Sequence, residues 1–284
     1  MFEQLTIANP AEAIKLKDFD PDSTLELTKE DIKPLMKDLR KRFSRCQEKL
    51  YAAKDYALLL VLQGMDCSGK DGTVKKVLYG INPNGFYVEA FKVPTPLELG
   101  HDYLWRVHQK APAKGQIGVF NRSYYEDVLV TRVHGTIDDV TAQRRFAEIR
   151  NFEQYLTDNH TVVLKFFLHI SKDFQKAKLD DRLTHPEKNW KFSEADLHER
   201  QYWDHYQRCY EDVLNNCSTS NAPWYIVPAD HRWFRNYMIL DTIVTTLEGL
   251  ELNYPSLEGN VDKLIKELRH SNKSKPLPKP ADQS

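Results

Sequence analysis

LLLVLQGMDCSGKDGTVKKV, residues 58 to 77, passes from an apolar run through a glycine-punctuated turn to a lysine and a helix start. Leu58 to Leu62 is short, wholly apolar and β-capable, the composition of a strand buried on both faces of a parallel sheet. Gly64 and Gly69 let the backbone turn back tightly behind it. The spacing Gly64-x4-Gly69-Lys70 is that of a phosphate-cradling loop. In such a loop successive backbone N–H groups and a helix N-terminus face an anion, and the lysine reaches its outer phosphates. Lys70 is therefore a candidate catalytic cation, and Gly64, Gly69, Gly72 and Thr73 are candidate phosphate contacts.

The residue after the lysine is ordinarily Ser or Thr, which holds magnesium, but here it is Asp71, and Asp66 puts a second carboxylate inside the turn. Two acids beside a phosphate site repel the ligand unless a divalent cation lies between them. Asp66 is accordingly read as a metal contact or an orienter of metal-bound water.

The chain of 284 residues is 41% hydrophobic and 29% charged, enough to bury a large core, and one α/β domain with a lid is expected. No run approaches the ~18 to 20 apolar residues of a membrane span, and MFEQLTIANPAEAIKLKDFD lacks a signal-peptide core. A cytoplasmic protein without a membrane partner is expected. Cys46, Cys67, Cys209 and Cys217 form no CxxC pair, so reduced thiols are expected rather than disulfides or a zinc site. A net charge of −1 argues against a nucleic-acid coat; a polyanion site must be a local concentration of Lys and Arg.

Residues 1 to 27 read as an extension that wraps the surface. Thr28-x-x-Asp31 is a capping pattern opening a helix whose stripe of Ile32, Leu35, Met36, Leu39, Phe43, Cys46 and Leu50 should dock on the sheet. Lys75 and Lys76 fall in the first turns of the helix after the loop and are candidates for a phosphate track. Phe86 to Val93 reads as a second strand and Pro96 to Gln109 as a helix. Gln116 to Asn121 is a third strand, ending in Asn121 where phosphate-loop proteins place an acid that reaches the metal; Glu126 and Asp127 follow as alternative ligands. Arg122, at the strand's end, is placed to fork onto phosphate oxygens as charge moves during transfer. Arg132 either extends the basic edge or pairs with Asp127 or Glu126.

An amphipathic helix from Val140 to Asp158 precedes Thr161 to Ile170, read as a central strand. Strand and helix alternate throughout, which predicts a three-layer arrangement with a parallel sheet and helices on both faces. Lys176 to Arg200 is polar and broken by Pro186; with Arg182, Lys188 and Lys191 it has the profile of a helical lid that closes on phosphates. Ser193-x-x-Asp196 caps a helix whose Leu197, Tyr206, Tyr210, Val213 and Leu214 pack on the core. Pro223 to Pro228 is a last strand, leading to a helix ending near Glu251. The tail, about 271–284, is Lys- and Pro-rich and expected to be disordered.

GMDCSGKDG (64–72), FKVPT (91–95), FNRSYYEDVLVTRVH (120–134), HPEKNWKFSEADLHER (185–200) and APWYIVPAD (222–230) together resemble the family-2 polyphosphate kinases, over roughly residues 30 to 250. The resemblance implies a thymidylate-kinase-like phosphate-loop fold with a helical lid. It implies transfer of a phosphoryl group, in either direction, between inorganic polyphosphate and AMP, ADP or ATP, with magnesium or manganese. It also implies a homodimer or homotetramer. YEDVLVTRVH (125–134) resembles the subgroup that phosphorylates both AMP and ADP. By position, Asp66, Lys70 and Asp71 match the family's loop residues, Arg122 its arginine after the strand, and Glu126 or Asp127 a second acid; Asn121 replaces an Asp of some members.

Bottom-up chemistry leads to the same place. An ionised nucleotide phosphate is already a nucleophile, so charge is the main obstacle, and Lys70 and Arg122 are the expected neutralisers. The polyphosphate track is expected to use Lys75, Lys76, Arg132, Arg182 and Lys191. Two other readings share these residues: a nucleoside monophosphate kinase with ATP as donor, and a non-catalytic polyanion-binding protein, against which Asp66 and Asp71 speak.

Overall fold

The computed structural model describes residues 6–7, 13–257 and 259–271. In chain order the elements are strand β1 (Thr6–Ile7), helix α1 (Lys29–Ala53), β2 (Ala57–Gln63), α2 (Lys70–Val77), β3 (Phe86–Ala90), α3 (Pro96–Leu99), α4 (Trp105–His108) and β4 (Ile117–Asn121). They continue with α5 (Val130–Val133), α6 (Asp139–Asp158), β5 (Thr161–His169), α7 (Lys172–Thr184), α8 (Glu194–Gln201), α9 (Trp203–Cys217), β6 (Trp224–Pro228), α10 (Arg232–Gly249) and α11 (Val261–Ser271). Short 3-10 segments at Leu16–Asp18, Pro83–Gly85, Tyr124–Val128 and Pro186–Lys191 join them.

The sheet has the order β1-β6-β5-β2-β4-β3. Five strands run parallel, and β1 adds an antiparallel edge beside β6. All seven residues of β2 are buried, as its unbroken apolar sequence requires of a strand covered on both faces. Helices α1, α2 and α10 pack together in one group and α5, α6 and α9 in another. In register, Leu62 of β2 lies opposite Asn121 of β4 and Phe166 of β5, so β2 and β4 finish within one residue of each other and β5 runs two residues beyond β2. Ligands of open α/β sheets bind at this carboxyl edge.

Local chemistry sets the boundaries. Thr28 closes a capping box with Asp31, each side chain accepting from the other's backbone N–H, and α1 stops where Lys54 turns left-handed at φ 57°. The expected stripe of α1 is buried except for exposed Leu35 and half-buried Met36. Three expected spans are corrected. The second strand stops at Ala90, because Phe91 turns inward to pack edge-on against Phe120. The helix expected over 96–109 is two short ones separated at residues 100–104. The helix capped by Ser193 breaks at Tyr202 into α8 and α9.

One charged cluster lies wholly inside the core. Lys165 of β5 donates from Nζ to Glu153 at 2.6 Å, to the Cys217 carbonyl at 2.6 Å and to the Tyr125 hydroxyl at 3.1 Å. The hydroxyls of Tyr124 and Tyr125 both donate to Glu153 at 2.7 Å. A buried ion pair survives only when its remaining donors and acceptors are satisfied, and here they are.

The four cysteines are free thiols. No helix among the described residues is long and apolar enough to cross a membrane. The chain divides into two compact units, Met1–Leu252 and Asn253–Ser284. Helix α11, in the second, carries Val261, Leu264, Ile265 and Leu268 at helical spacing and was not anticipated. The tail expected to be disordered lies, beyond Ser271, outside the described residues, as do residues 1–5 and 8–12 of the N-terminal extension.

Candidate active site

The turn after β2 is shaped by two glycines that no other residue replaces freely. At Gly64, φ 150°, a Cβ would come within 2.7 Å of the Leu168 carbonyl oxygen on the neighbouring strand. Gly69 is left-handed at φ 90°, and a Cβ there would overlap the guanidinium of Arg235. Helix α2 starts immediately afterwards, so its first N–H groups point at the loop. Gly72 is less constrained: its nearest neighbour is Arg235 Nη2, 3.8 Å from a Cβ.

Lys70 is buried, with Nζ folded onto the loop's own carbonyls, Gly64 at 2.7 Å and Met65 at 3.3 Å. Burial, followed by the nearby positive charge of Arg122, pulls its pKa below that of a free lysine. Asp66 accepts from Arg122 Nη2 at 2.8 Å, and Gln175 donates to the Asp66 backbone carbonyl at 3.1 Å. Asp71 accepts from Asn121 Nδ2 at 2.5 Å, so the residue that stands in place of the usual strand-end acid positions the acid that stands in place of the usual hydroxyl. Cys67, also left-handed at φ 69°, has its thiol pushed up to about 11 by burial, so it is a filler in the loop and not a thiolate.

These groups open onto one cavity of about 740 Å³. Asp66, Lys70, Asp71 and Arg122 line it together with the lid residues Arg182 and Lys191, as the sequence predicts. The lid cations have partners of their own: Arg182 donates to Asp196 at 2.8 Å and to the Lys191 carbonyl at 3.1 Å, and Lys188 to Asp181 at 2.7 Å. Burial, and then the charge of Asp66, raises the carboxyl pKa of Asp196.

Other expected site residues stand elsewhere. Thr73 is buried with its hydroxyl donating to the Gly69 carbonyl at 3.1 Å, a bond internal to α2 that turns it away from a ligand. Lys75 and Lys76 are exposed on α2, outside the cavity wall, because the helix rotates them away from the loop. Arg132 pairs with Asp139 at 2.6 Å and Asp212 at 2.9 Å, and neither Asp127 nor Glu126 is its partner. It ties α5 to α6 and α9 and extends no basic edge.

Asp127 falls in a separate hollow, 3.7 Å from Arg106, where burial pushes its carboxyl up to about 6 against the pull of that arginine. This placement removes it as a metal ligand for the loop. Glu126 is close enough to influence Lys70 and Arg122 by charge but does not line the cavity.

Four cations that line the cavity are not among the candidates the sequence offers: Lys92, Lys178, Arg232 and Arg235. Lys178 and Arg235 lie in helices whose spacing reads as packing, and Lys92 follows the end of a strand. The available signal was Arg232 and Arg235 at i and i+3, one turn past the end of the last strand.

Among the described residues no three His, Cys, Asp or Glu side chains gather as a metal cage. Asp66 and Asp71 nevertheless fit magnesium bound in its usual way, through one or two carboxylates with substrate phosphates and water completing the shell.

A backbone cradle, a lysine and an arginine at one sheet edge, roofed by cationic helices, define a phosphate-loop kinase. The chain belongs to the polyphosphate kinase 2 (PPK2) family, which matches residues 26–254. It is 47% identical over 258 residues to the AMP/ADP-polyphosphate phosphotransferase of Meiothermus ruber, covering 90% of this chain and 97% of that one. It is 46% identical over 254 residues to the ADP-polyphosphate phosphotransferase of Rhodopseudomonas palustris, covering 85% and 88%. The crystal structure of polyphosphate kinase 2 from Arthrobacter aurescens superposes with a TM-score of 0.90 at 40% identity, over 94% of this chain and 96% of that one.

Proposed function

We propose that the protein transfers the terminal phosphoryl group of inorganic polyphosphate to AMP and to ADP, reversibly and with magnesium. The observation that carries this reading is the wall of the cavity, where nine Lys and Arg side chains outnumber four Asp. Such an excess suits a donor recognised by charge alone.

Backbone N–H groups at the start of α2 cradle the donor phosphates. Lys70 leaves the Gly64 and Met65 carbonyls to meet them, exchanging weak acceptors for a charged one. Arg122 is aimed by its ion pair with Asp66 and neutralises charge on the group in flight. The acceptor phosphate needs no base, so none is assigned. Asp66 and Asp71 are the carboxylates that would hold magnesium, or manganese in its place, and the cation would screen the negative charge of the bound phosphates. The lid, through Arg182, Lys188 and Lys191, covers the donor and excludes water.

We place this reaction in the cytoplasm and expect a homodimer or homotetramer, which light scattering of the purified protein tests. The decisive experiment is incubation with AMP, magnesium and long-chain polyphosphate and no other nucleotide. ADP followed by ATP is the expected product sequence; no nucleotide product above the magnesium-free control refutes the reading.

A further inference from the structure

Arg235 sits one turn into α10 with its side chain only 2% exposed, pressed against the phosphate loop. Its Nη1 donates to the Ser68 carbonyl at 2.8 Å, and Nε and Nη2 share the Asn236 side-chain oxygen at 3.3 and 3.2 Å. A guanidinium carries five N–H donors, so two are left without a partner among the described residues. None of the partners is a carboxylate. The charged neighbour is Arg232, and burial followed by that like charge pulls the Arg235 pKa down to about 10, which still leaves it positive at neutral pH.

A buried charge with no counter-ion is expensive, and the like charge of exposed Arg232 one turn away adds to the cost. Arg122 and Lys165 show the ordinary remedy, each facing a carboxylate at 2.8 and 2.6 Å. Arg235 has no such relief, yet the loop is shaped around it: Gly69 lacks the Cβ that would strike it. Both arginines line the cleft, with Lys178 on the facing helix α7.

We propose that Arg235, with Arg232 one turn before it, is an anion clamp that grips a phosphate of the polyphosphate donor beyond the one transferred. The missing counter-ion is thus supplied by substrate. The clamp touches the loop at Ser68 and Gly69, whereas Arg122 touches it at Asp66, so the two guanidiniums serve different phosphates. Guanidinium groups and a lysine recognise phosphate charge, which fits the donor better than a nucleoside. The proposal rests on the phosphotransfer reading and extends it to the path of the donor chain.

The test is calorimetric binding of inorganic tripolyphosphate to the full-length protein, with magnesium and no nucleotide. Arg235→Met keeps the length of the side chain and removes its charge. Binding should weaken about ten- to a hundredfold, the value of one or two charge-assisted hydrogen bonds, while the ligand-free variant melts no lower than wild type. Exposed Arg232→Gln should weaken binding by a smaller factor, and AMP binding should be unchanged in both.

Wild-type protein that does not bind tripolyphosphate would overturn the functional reading and the clamp with it. Wild-type binding matched by both variants would overturn the clamp alone. So would an Arg235→Met protein that melts well below wild type while Arg232→Gln binds normally, since Arg235 would then be a packing residue.

Discussion

Arg122 meets Asp66 at 2.8 Å across the mouth of the phosphate loop, and it does so from a left-handed backbone with φ 63°. An arginine in that region is uncommon, and the geometry holds because its N–H donates to the Leu62 carbonyl at 3.1 Å. The strain serves to aim a guanidinium. Arg122→Ala should lower kcat by ~10³ to 10⁵, the range for an arginine that stabilises phosphoryl transfer, with little change in melting temperature. Arg122→Lys should rescue little, because an ammonium does not fork onto two oxygens. Steady-state kinetics beside thermal unfolding separates the two effects; near-normal turnover in the alanine variant removes Arg122 from the chemistry.

Gly69→Ala should damage both the cradle and the fold. The left-handed backbone costs a Cβ residue ~1 to 2 kcal/mol, and displacement of Arg235 adds to that. Gly72→Ala, whose Cβ would meet only Arg235 Nη2 at an ordinary 3.8 Å, should be tolerated in the fold. Paired denaturation curves for the two variants check the contrast, and equal destabilisation would contradict it.

Lys165→Met should destabilise the protein by ~3 to 5 kcal/mol, because Glu153 is left buried with its charge answered only by two tyrosine hydroxyls. Adding Glu153→Gln should recover part of the loss. A double-mutant cycle in urea measures the coupling, and a cycle that closes at zero would mean the pair contributes no specific interaction.

Asp127 gives stability a pH dependence of defined sign. Its carboxyl titrates at about 6 in the fold and near 3.8 when unfolded, so the folded state holds the proton more tightly. The stabilisation is complete below the unfolded value and is lost as pH rises through 6. It amounts to ~2 to 3 kcal/mol across the window. Wild-type stability relative to Asp127→Asn should therefore fall between pH 4 and pH 6.5 and level off above it. A difference that stays flat or rises over that range contradicts the assignment.

The loop, the order of strands and helices, and the meeting of Lys70, Asp66 and Arg122 in one cavity were legible because each rests on local pattern: an apolar run, glycines at fixed spacing, a cation at a strand end. Where partners come from distant segments, local pattern fails. Nothing near Arg132 reveals that Asp212, eighty residues on, holds it. Thr73 and Lys75 follow the loop in sequence, but 100° per residue of helix turns one into the core and the other into solvent. Arg235 was hidden for the opposite reason: it lies among Phe234, Tyr237 and Met238, in a run that reads as buried packing, and only the fold shows what it packs against.

The register that sets Leu62 beside Asn121 fastens the cradle and Arg122 to one pair of adjacent rungs. The lid, by contrast, is an insertion between β5 and α9, held by pairs such as Arg182 with Asp196 that lie largely within itself. Reaction and reach are thereby separable under selection. Change in the insertion leaves that register untouched, while a one-residue slip between β2 and β4 would carry Arg122 away from the cradle.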